Sequence, residues 1–309
     1  MTESVENILP RVLNEEQQKV LNELSDILEE VVNFGTHLIK WDLDQKTGSD
    51  ERLTCILFLR NLIEEIDSIS ILTRKSAIDS AKSLLRTALE NFFYLEYIFQ
   101  EDTYNRSMSF LVWDTINQQT LINKFDLNKE QGKEFKSKLE KDKLLNDFDF
   151  TDEKTLEKYR EFGKNLLEHE EYKKVTAEYY RTKNSTKSKK NPQWYSLFDG
   201  PKNLELLAVS IGYPAIYDAF YRNYSMSTHG NDIIRGKIKI TENGKPGIVQ
   251  IRYPGDLHLV VFNSINIAIM AYIAYCKARL PEKVESFQEW YKSISPTIKK
   301  TIKLKLEIK

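Results

Sequence analysis

Apolar residues recur at intervals of three and four along most of this chain, the period of an amphipathic helix. Asn14 is placed to cap a helix running to about Trp41, with Val20, Leu21, Leu24, Ile27, Leu28, Val31 and Val32 on its inner face. A second helix is predicted over about 51–72, with Cys55, Leu59, Leu62, Ile63 and Ile66 inward. The third, about 74–100, has the widest apolar face, from Ala77 through Leu85, Leu89 and Phe93 to Ile98. A face that wide predicts a central helix touched on several sides. A fourth spans about 102–124, with Met108, Leu111, Val112, Ile116 and Leu121.

From Lys129 to Glu170 the chain is charged and weakly amphipathic. Two exposed helices are expected there, broken near Asp147–Thr151. Arg181–Pro192 (RTKNSTKSKKNP) holds five basic residues and no acidic one, and reads as a loop. A short helix over Leu204–Ser210 ends at Gly212. The next is predicted from Tyr213 to His229, with Pro214 in its first turn and Gly230 as its stop.

Between Lys237 and Tyr253 the period changes to two. Ile238 and Ile240 alternate with lysines, and Asn243-Gly244 lies before Ile248–Ile251, the signature of a β-hairpin. Leu257–Ala274 is the most apolar stretch, but it carries His258, Asn263, Ser264 and Asn266. It reads as a core helix rather than a membrane span. A last helix starts near residue 282. The reading is all-α: one helical domain over 1–309 with a small hairpin insert. Within it, residues 14–125 supply the N-terminal bundle helices and 126–200 a charged insert with the basic loop. Residues 201–309 hold the motif helix, the hairpin and the C-terminal core helices.

Composition narrows the class. The 309 residues are 41% hydrophobic and 29% charged, with only 11 glycines and 8 prolines. That excludes a collagen-like or largely disordered chain. Two cysteines exclude a disulfide scaffold, and with four histidines they make a first-row metal site unexpected. No cofactor or metal is expected. The formal net charge of -1 argues against a chain coated in nucleic acid and leaves room for a local basic patch. Residues 1–10 lack a basic segment followed by an apolar run, so a cytoplasmic protein with reduced cysteines and no membrane partner is expected.

GxxxxGK[ST], a strand-linked GxGxxG, HExxH, GxSxG and CxxC are all absent. One stretch stands apart, Tyr221-Arg222-Asn223-Tyr224-Ser225-Met226-Ser227-Thr228-His229. Seven helical residues turn through about 700°, so Arg222 and His229 are expected on one face, roughly 10 Å apart along the axis. Ser225 falls between them. A cation, a hydroxyl and an imidazole in line suit a phosphodiester: Arg222 can grip a phosphate and His229 can move a proton near neutral pH. The plainer reading makes His229 a capping residue facing the helix dipole.

Arg86 and Glu90 form a second polar pair, spaced i, i+4 among Leu84, Leu85, Leu89 and Phe93. The plainer reading is an ion pair at the core edge; the functional one has it face and orient the Arg222–His229 stripe.

Arg222-Asn223 followed by His229 resembles the R-N-x(4–6)-H signature of HEPN domains, the all-helical fold of many prokaryotic ribonuclease toxins and defence proteins. The LLRTALENFFYLEYI helix with Arg86 and Glu90, paired with Tyr221-x-x-x-Ser225-x-x-x-His229, resembles an uncharacterised bacterial HEPN-like group. The resemblance covers mainly 74–100 and 213–230. It implies metal-independent RNA cleavage by attack of the 2′-hydroxyl, leaving a 2′,3′-cyclic phosphate. His229 would transfer the proton, Arg222 hold the phosphate and Asn223 position it or brace the helix, with Ser225, Tyr221, Glu90 and Arg86 in support.

The resemblance also implies a homodimer with a composite site, and an antitoxin or defence-system partner. Typical HEPN domains are about half this length, so it assigns no role to 129–192 or 237–252. Many HEPN-like proteins are inactive scaffolds or antitoxin partners, and a non-catalytic interaction or sensor module is the alternative. For RNA contact the loop residues Arg181, Lys183, Lys187, Lys189 and Lys190 are candidates, against a plainly solvated loop.

Overall fold

The computed structural model describes residues 3–45, 50–145, 153–185, 191–228, 233–240 and 243–304. The protein is all-α with one small antiparallel hairpin. It divides into two compact units, Met1–Glu101 with Ala208–Lys309, and Asp102–Leu207.

The first unit begins with α1 (Glu15–Leu43), α2 (Asp50–Arg74) and α3 (Ile78–Gln100). Asn14 does cap α1: its side chain accepts from the Gln17 amide at 2.8 Å. α3 packs on α2, on α11 (Leu257–Arg279) and on α10 (Arg222–Thr228), so its wide apolar face is covered from three directions. Leu85, Ala88, Leu89, Phe92 and Phe93 are accordingly sealed. α11 has the length and apolarity of a membrane span, but 61% of its most apolar window is buried within the protein, as befits a core helix. It approaches α1 closely because Gly35 has no side chain: a Cβ there would lie 2.3 Å from the Tyr272 hydroxyl. That hydroxyl donates to the Val31 carbonyl at 3.0 Å.

After α11 a single 3₁₀ turn (Pro281–Lys283) leads into α12 (Val284–Thr301). The hairpin pairs β1 (Ile238–Ile240) with β2 (Pro246–Ile248), placing Ile238 opposite Ile248 and Ile240 opposite Pro246. β2 therefore starts two residues earlier than the Ile248–Ile251 run suggested. A two-stranded ribbon has only edge strands, where a proline costs no ladder bond.

The second unit holds α4 (Thr103–Lys124), α5 (Glu130–Leu139), α6 (Glu153–Glu168) and α7 (Glu170–Ser185). Compactness assigns α4 to this unit because Met108, Val112 and Ile116 pack on Tyr172, Val175, Tyr179 and Leu197. The interruption expected near Asp147–Thr151 lies outside the described residues. The loop expected from Arg181 needs correction: α7 continues through Arg181 and Lys183 to Ser185. The segment contains no glycine before its proline, so nothing local breaks the helix. Its last turn is also fastened from the side. The Glu178 carboxylate accepts from Arg181, from Thr182 and from the Phe198 backbone amide, the last at 2.7 Å.

Candidate functional site

The short helix expected before the motif is α8 (Leu204–Ser210), and the helix read as continuous from Tyr213 to His229 is built in three pieces: α9 (Pro214–Ile216), a π-helical turn (Tyr217–Tyr221) and α10 (Arg222–Thr228). In the π turn the Arg222 amide donates to the Tyr217 carbonyl, five residues back. Wide turns of this kind occur often at functional sites. Periodicity cannot show them, because one inserted residue only shifts the pattern. Here the turn brings the Tyr217 and Tyr221 rings into a stack, with centroids 4.9 Å apart.

Two buried phenols then clamp the helix to its neighbours. Tyr221 reaches α3, where its hydroxyl accepts from Arg86 Nη2 at 2.7 Å and donates to Glu90 Oε1 at 2.6 Å. Arg86 Nη2 and Glu90 Oε1 are themselves 2.8 Å apart, closing a hydrogen-bonded triangle. The guanidinium also lies over the Tyr221 ring, 5.0 Å from its centroid. Three residues on, the Tyr224 hydroxyl accepts from Asn263 Nδ2 of α11 at 2.6 Å.

Burial pushes the Tyr221 phenol well above its ordinary range, and the hydrogen bond and charge of Glu90 push it further, against Arg86. It is therefore a neutral phenol near pH 7, donating to a carboxylate. The triangle is not sealed: the Arg86 and Glu90 side chains keep 19% and 20% of their surface exposed. Arg86 Nε, by contrast, is buried and has no hydrogen-bond partner among the described residues.

Arg222 and Asn223 turn away from the triangle. Arg222 points to solvent with 53% of its side chain exposed. Its Nε donates to Asp218 at 2.8 Å, and its guanidinium lies 5.3 Å from the centroid of the Tyr217 ring. Asn223 is exposed, and its amide donates to the Ala219 carbonyl at 2.7 Å, a bond that braces its own helix. Ser225 is half-buried. His229 lies outside the described residues.

Arg86 and Glu90 thus meet Tyr221 and not the Arg222 side of the helix. Adjacent residues of a helix point about 100° apart, so an inward Tyr221 turns Arg222 away.

Of the five basic residues proposed for RNA contact, Lys187, Lys189 and Lys190 lie outside the described residues. Arg181 is committed within the second unit. It donates to Glu178 at 2.6 and 2.8 Å and to Asp199 at 3.0 Å. Lys183 follows on the same helix and is half-buried. Trp194 and Tyr195 beside them are buried and pack edge to face.

Among the described residues no three His, Cys, Asp or Glu side chains gather to hold a metal ion. A feature the sequence reading missed is a polar cluster inside the first unit. Asp42 accepts from Arg52 Nε at 2.6 Å and from the Tyr275 hydroxyl, and all three residues are buried. The spacing of Asp42 and Arg52, across the α1–α2 connection, offered no periodic signal.

No curated protein and no solved structure matches this chain. Residues 53–246, which include Arg86, Glu90 and Tyr221, match a family of unknown function, DUF5677. The match spans well over half of the chain, which therefore belongs to that family.

Proposed function

We propose that this protein is a metal-independent endoribonuclease of HEPN type, acting in toxin or antiphage biology in the cytoplasm. One observation carries the reading. Helix α10 has its rotation fixed by Tyr221 in the Arg86–Glu90 triangle, and it offers the Arg222 guanidinium to solvent on a different face. A guanidinium at that position can take a phosphate oxygen in exchange for its exposed, weak pair with Asp218.

In this scheme His229 takes the proton from the RNA 2′-hydroxyl as that oxygen attacks phosphorus. The bond to the 5′-oxygen breaks with its electron pair, that oxygen takes a proton from water to leave as a hydroxyl, and a 2′,3′-cyclic phosphate remains. Arg222 neutralises charge on the phosphoryl oxygens. Asn223 contributes by bracing the helix rather than by holding the phosphate, since its amide is engaged with Ala219. Two protomers placing their α10 helices together would complete the site, and a restraining partner protein would keep it silent.

The test is cleavage of RNA by purified protein in EDTA, with end-group analysis of the products. Cyclic phosphate ends that disappear in His229→Ala, with an unchanged melting curve, support the reading. RNA left intact by the wild-type protein under all conditions refutes it. A second reading, a non-catalytic interaction module, draws on the hairpin: Ile238, Ile240 and Ile248 are each at least half exposed. It predicts no cleavage and a stable co-purifying partner.

A further inference from the structure

The first unit carries a basic groove that no linear motif announces. Its larger part is a cavity of about 730 Å³, within the range of ligand sites. The start of α3 forms one wall, and the hairpin and the segment leading into α11 form the other. A smaller cavity of about 270 Å³ adjoins it, lined by Pro10, Arg11, Leu13, Gln18, Lys75 and Arg252. Arg252 lines both cavities.

Among the described residues, six cations line the two cavities, Arg11, Lys75, Lys82, Arg235, Lys237 and Arg252, against two carboxylates, Asp79 and Asp256. Both carboxylates are already engaged. Lys82 lies 2.8 Å from Asp79 and 2.6 Å from Asp256, and Lys237 lies 3.6 Å from Asp79. The excess positive charge therefore rests with the other four.

The backbone holds Arg252 in place. Arg252 is in the left-handed region at φ +68°, and its carbonyl accepts from Ser76 Oγ at 2.8 Å. Ser76 is itself left-handed at φ +56°. The groove also offers exposed apolar side chains, those of Ile238, Ile248, Ile251 and Tyr253. Tyr253 is 38% exposed. Near the α11 end, Asp256 and Lys82 lie close enough to Tyr224 to act on its phenol, which sets the groove beside α10.

We infer that this groove binds single-stranded RNA, with phosphates along the cations and unstacked bases against the isoleucines and Tyr253. The choice of polyanion rests on the ribonuclease reading; the groove itself rests on its residues. Cations beside exposed apolar groups match a single strand, whose bases are free to stack on side chains. A duplex offers phosphates but hides its bases. The proposal also moves RNA contact from the Arg181–Lys190 segment to the first unit.

The experiment measures fluorescence anisotropy of a short labelled RNA, single-stranded or duplex, over a salt series. The host is the His229→Ala chain, so that cleavage does not intrude. Arg235→Gln with Arg252→Gln should weaken single-strand binding about tenfold and lower the salt slope by about 1.4, the value for two lost phosphate contacts. Tyr253→Ala should weaken binding about tenfold with the slope unchanged, because stacking releases no counterions. Lys187→Ala with Lys189→Ala and Lys190→Ala should leave affinity within about twofold of the host. Thermal melts confirm that each variant folds.

Unchanged affinity in the arginine variant overturns the proposal. So does preference for duplex, or capture of anionic vesicles without RNA binding. If wild-type protein binds RNA through the groove but never cleaves it, the ribonuclease reading falls and the groove stands. If it cleaves RNA equally well without the two arginines, the groove falls alone.

Discussion

The first unit makes the same set of groups twice, a tyrosine hydroxyl, a carboxylate and a guanidinium, and puts them in opposite surroundings. In the Asp42–Arg52–Tyr275 cluster the aspartate is fully sealed and the arginine side chain is 5% exposed. In the Arg86–Glu90–Tyr221 triangle both charged side chains keep about a fifth of their surface in water. A charge sealed from solvent must keep its partner, because removing one leaves the other buried and uncompensated. A charge at the margin can be rehydrated, so its bonds can be exchanged. The sealed set therefore staples α1, α2 and α11, while the open set joins α3 to the turn that leads into α10 and stays within reach of water.

The largest expected effect follows from that contrast. Asp42→Ala should destabilise the protein by about 3–5 kcal/mol, seen as a lower midpoint in denaturant titration. Glu90→Ala should cost about 1–2 kcal/mol, because water can reach Arg86 once the glutamate is gone. Equal losses would erase the distinction between the two sets. Tyr221→Phe should cost about 1 kcal/mol, the value of the hydrogen bonds it forfeits, and should loosen α10 in hydrogen exchange.

Alkaline titration sharpens the same point. Burial and a neighbouring carboxylate raise the phenols of both Tyr221 and Tyr275. Burial also pushes the Cys276 thiol up to about 12. A group whose folded pKa lies above its unfolded value contributes stability that is complete below the unfolded value and is lost as pH rises through the folded one. For these tyrosines the decline begins near pH 10, where the unfolded phenols start to ionise. Stability should fall above that pH in the wild type and fall less steeply in Tyr221→Phe. Identical slopes would argue against the raised Tyr221 phenol.

The smallest expected change in stability belongs to Arg222→Ala, within about 0.5 kcal/mol, since an exposed i, i+4 pair with Asp218 contributes little.

What the sequence disclosed depended on how local the determinant was. The Asn14 cap needs only the next few residues, and the wide face of α3 announces a central helix by itself. The Arg86–Glu90 pair was legible as an i, i+4 spacing, but its third member, Tyr221, comes from a helix far along the chain. The π turn was invisible because the apolar pattern runs through it. The Arg181 segment read as a loop on composition alone, while the bonds that hold it helical depend on Glu178 and, from beyond α7, on Asp199. The basic groove was hidden for a similar reason. Its cations come from the N-terminal segment, the α2–α3 turn, the start of α3, the segment before β1 and the approach to α11, none of which is a basic run.

The central claim is that a helix fixed by Tyr221 presents Arg222 to an RNA phosphate, with His229 moving the proton. The most direct measurement is single-turnover cleavage of labelled RNA in EDTA by wild-type, Arg222→Ala and His229→Ala proteins of matched stability. The account predicts cyclic phosphate products from wild type, with the rate falling by about two to three orders of magnitude in each variant. Cleavage at the wild-type rate by Arg222→Ala, or none by the wild-type protein itself, would contradict it.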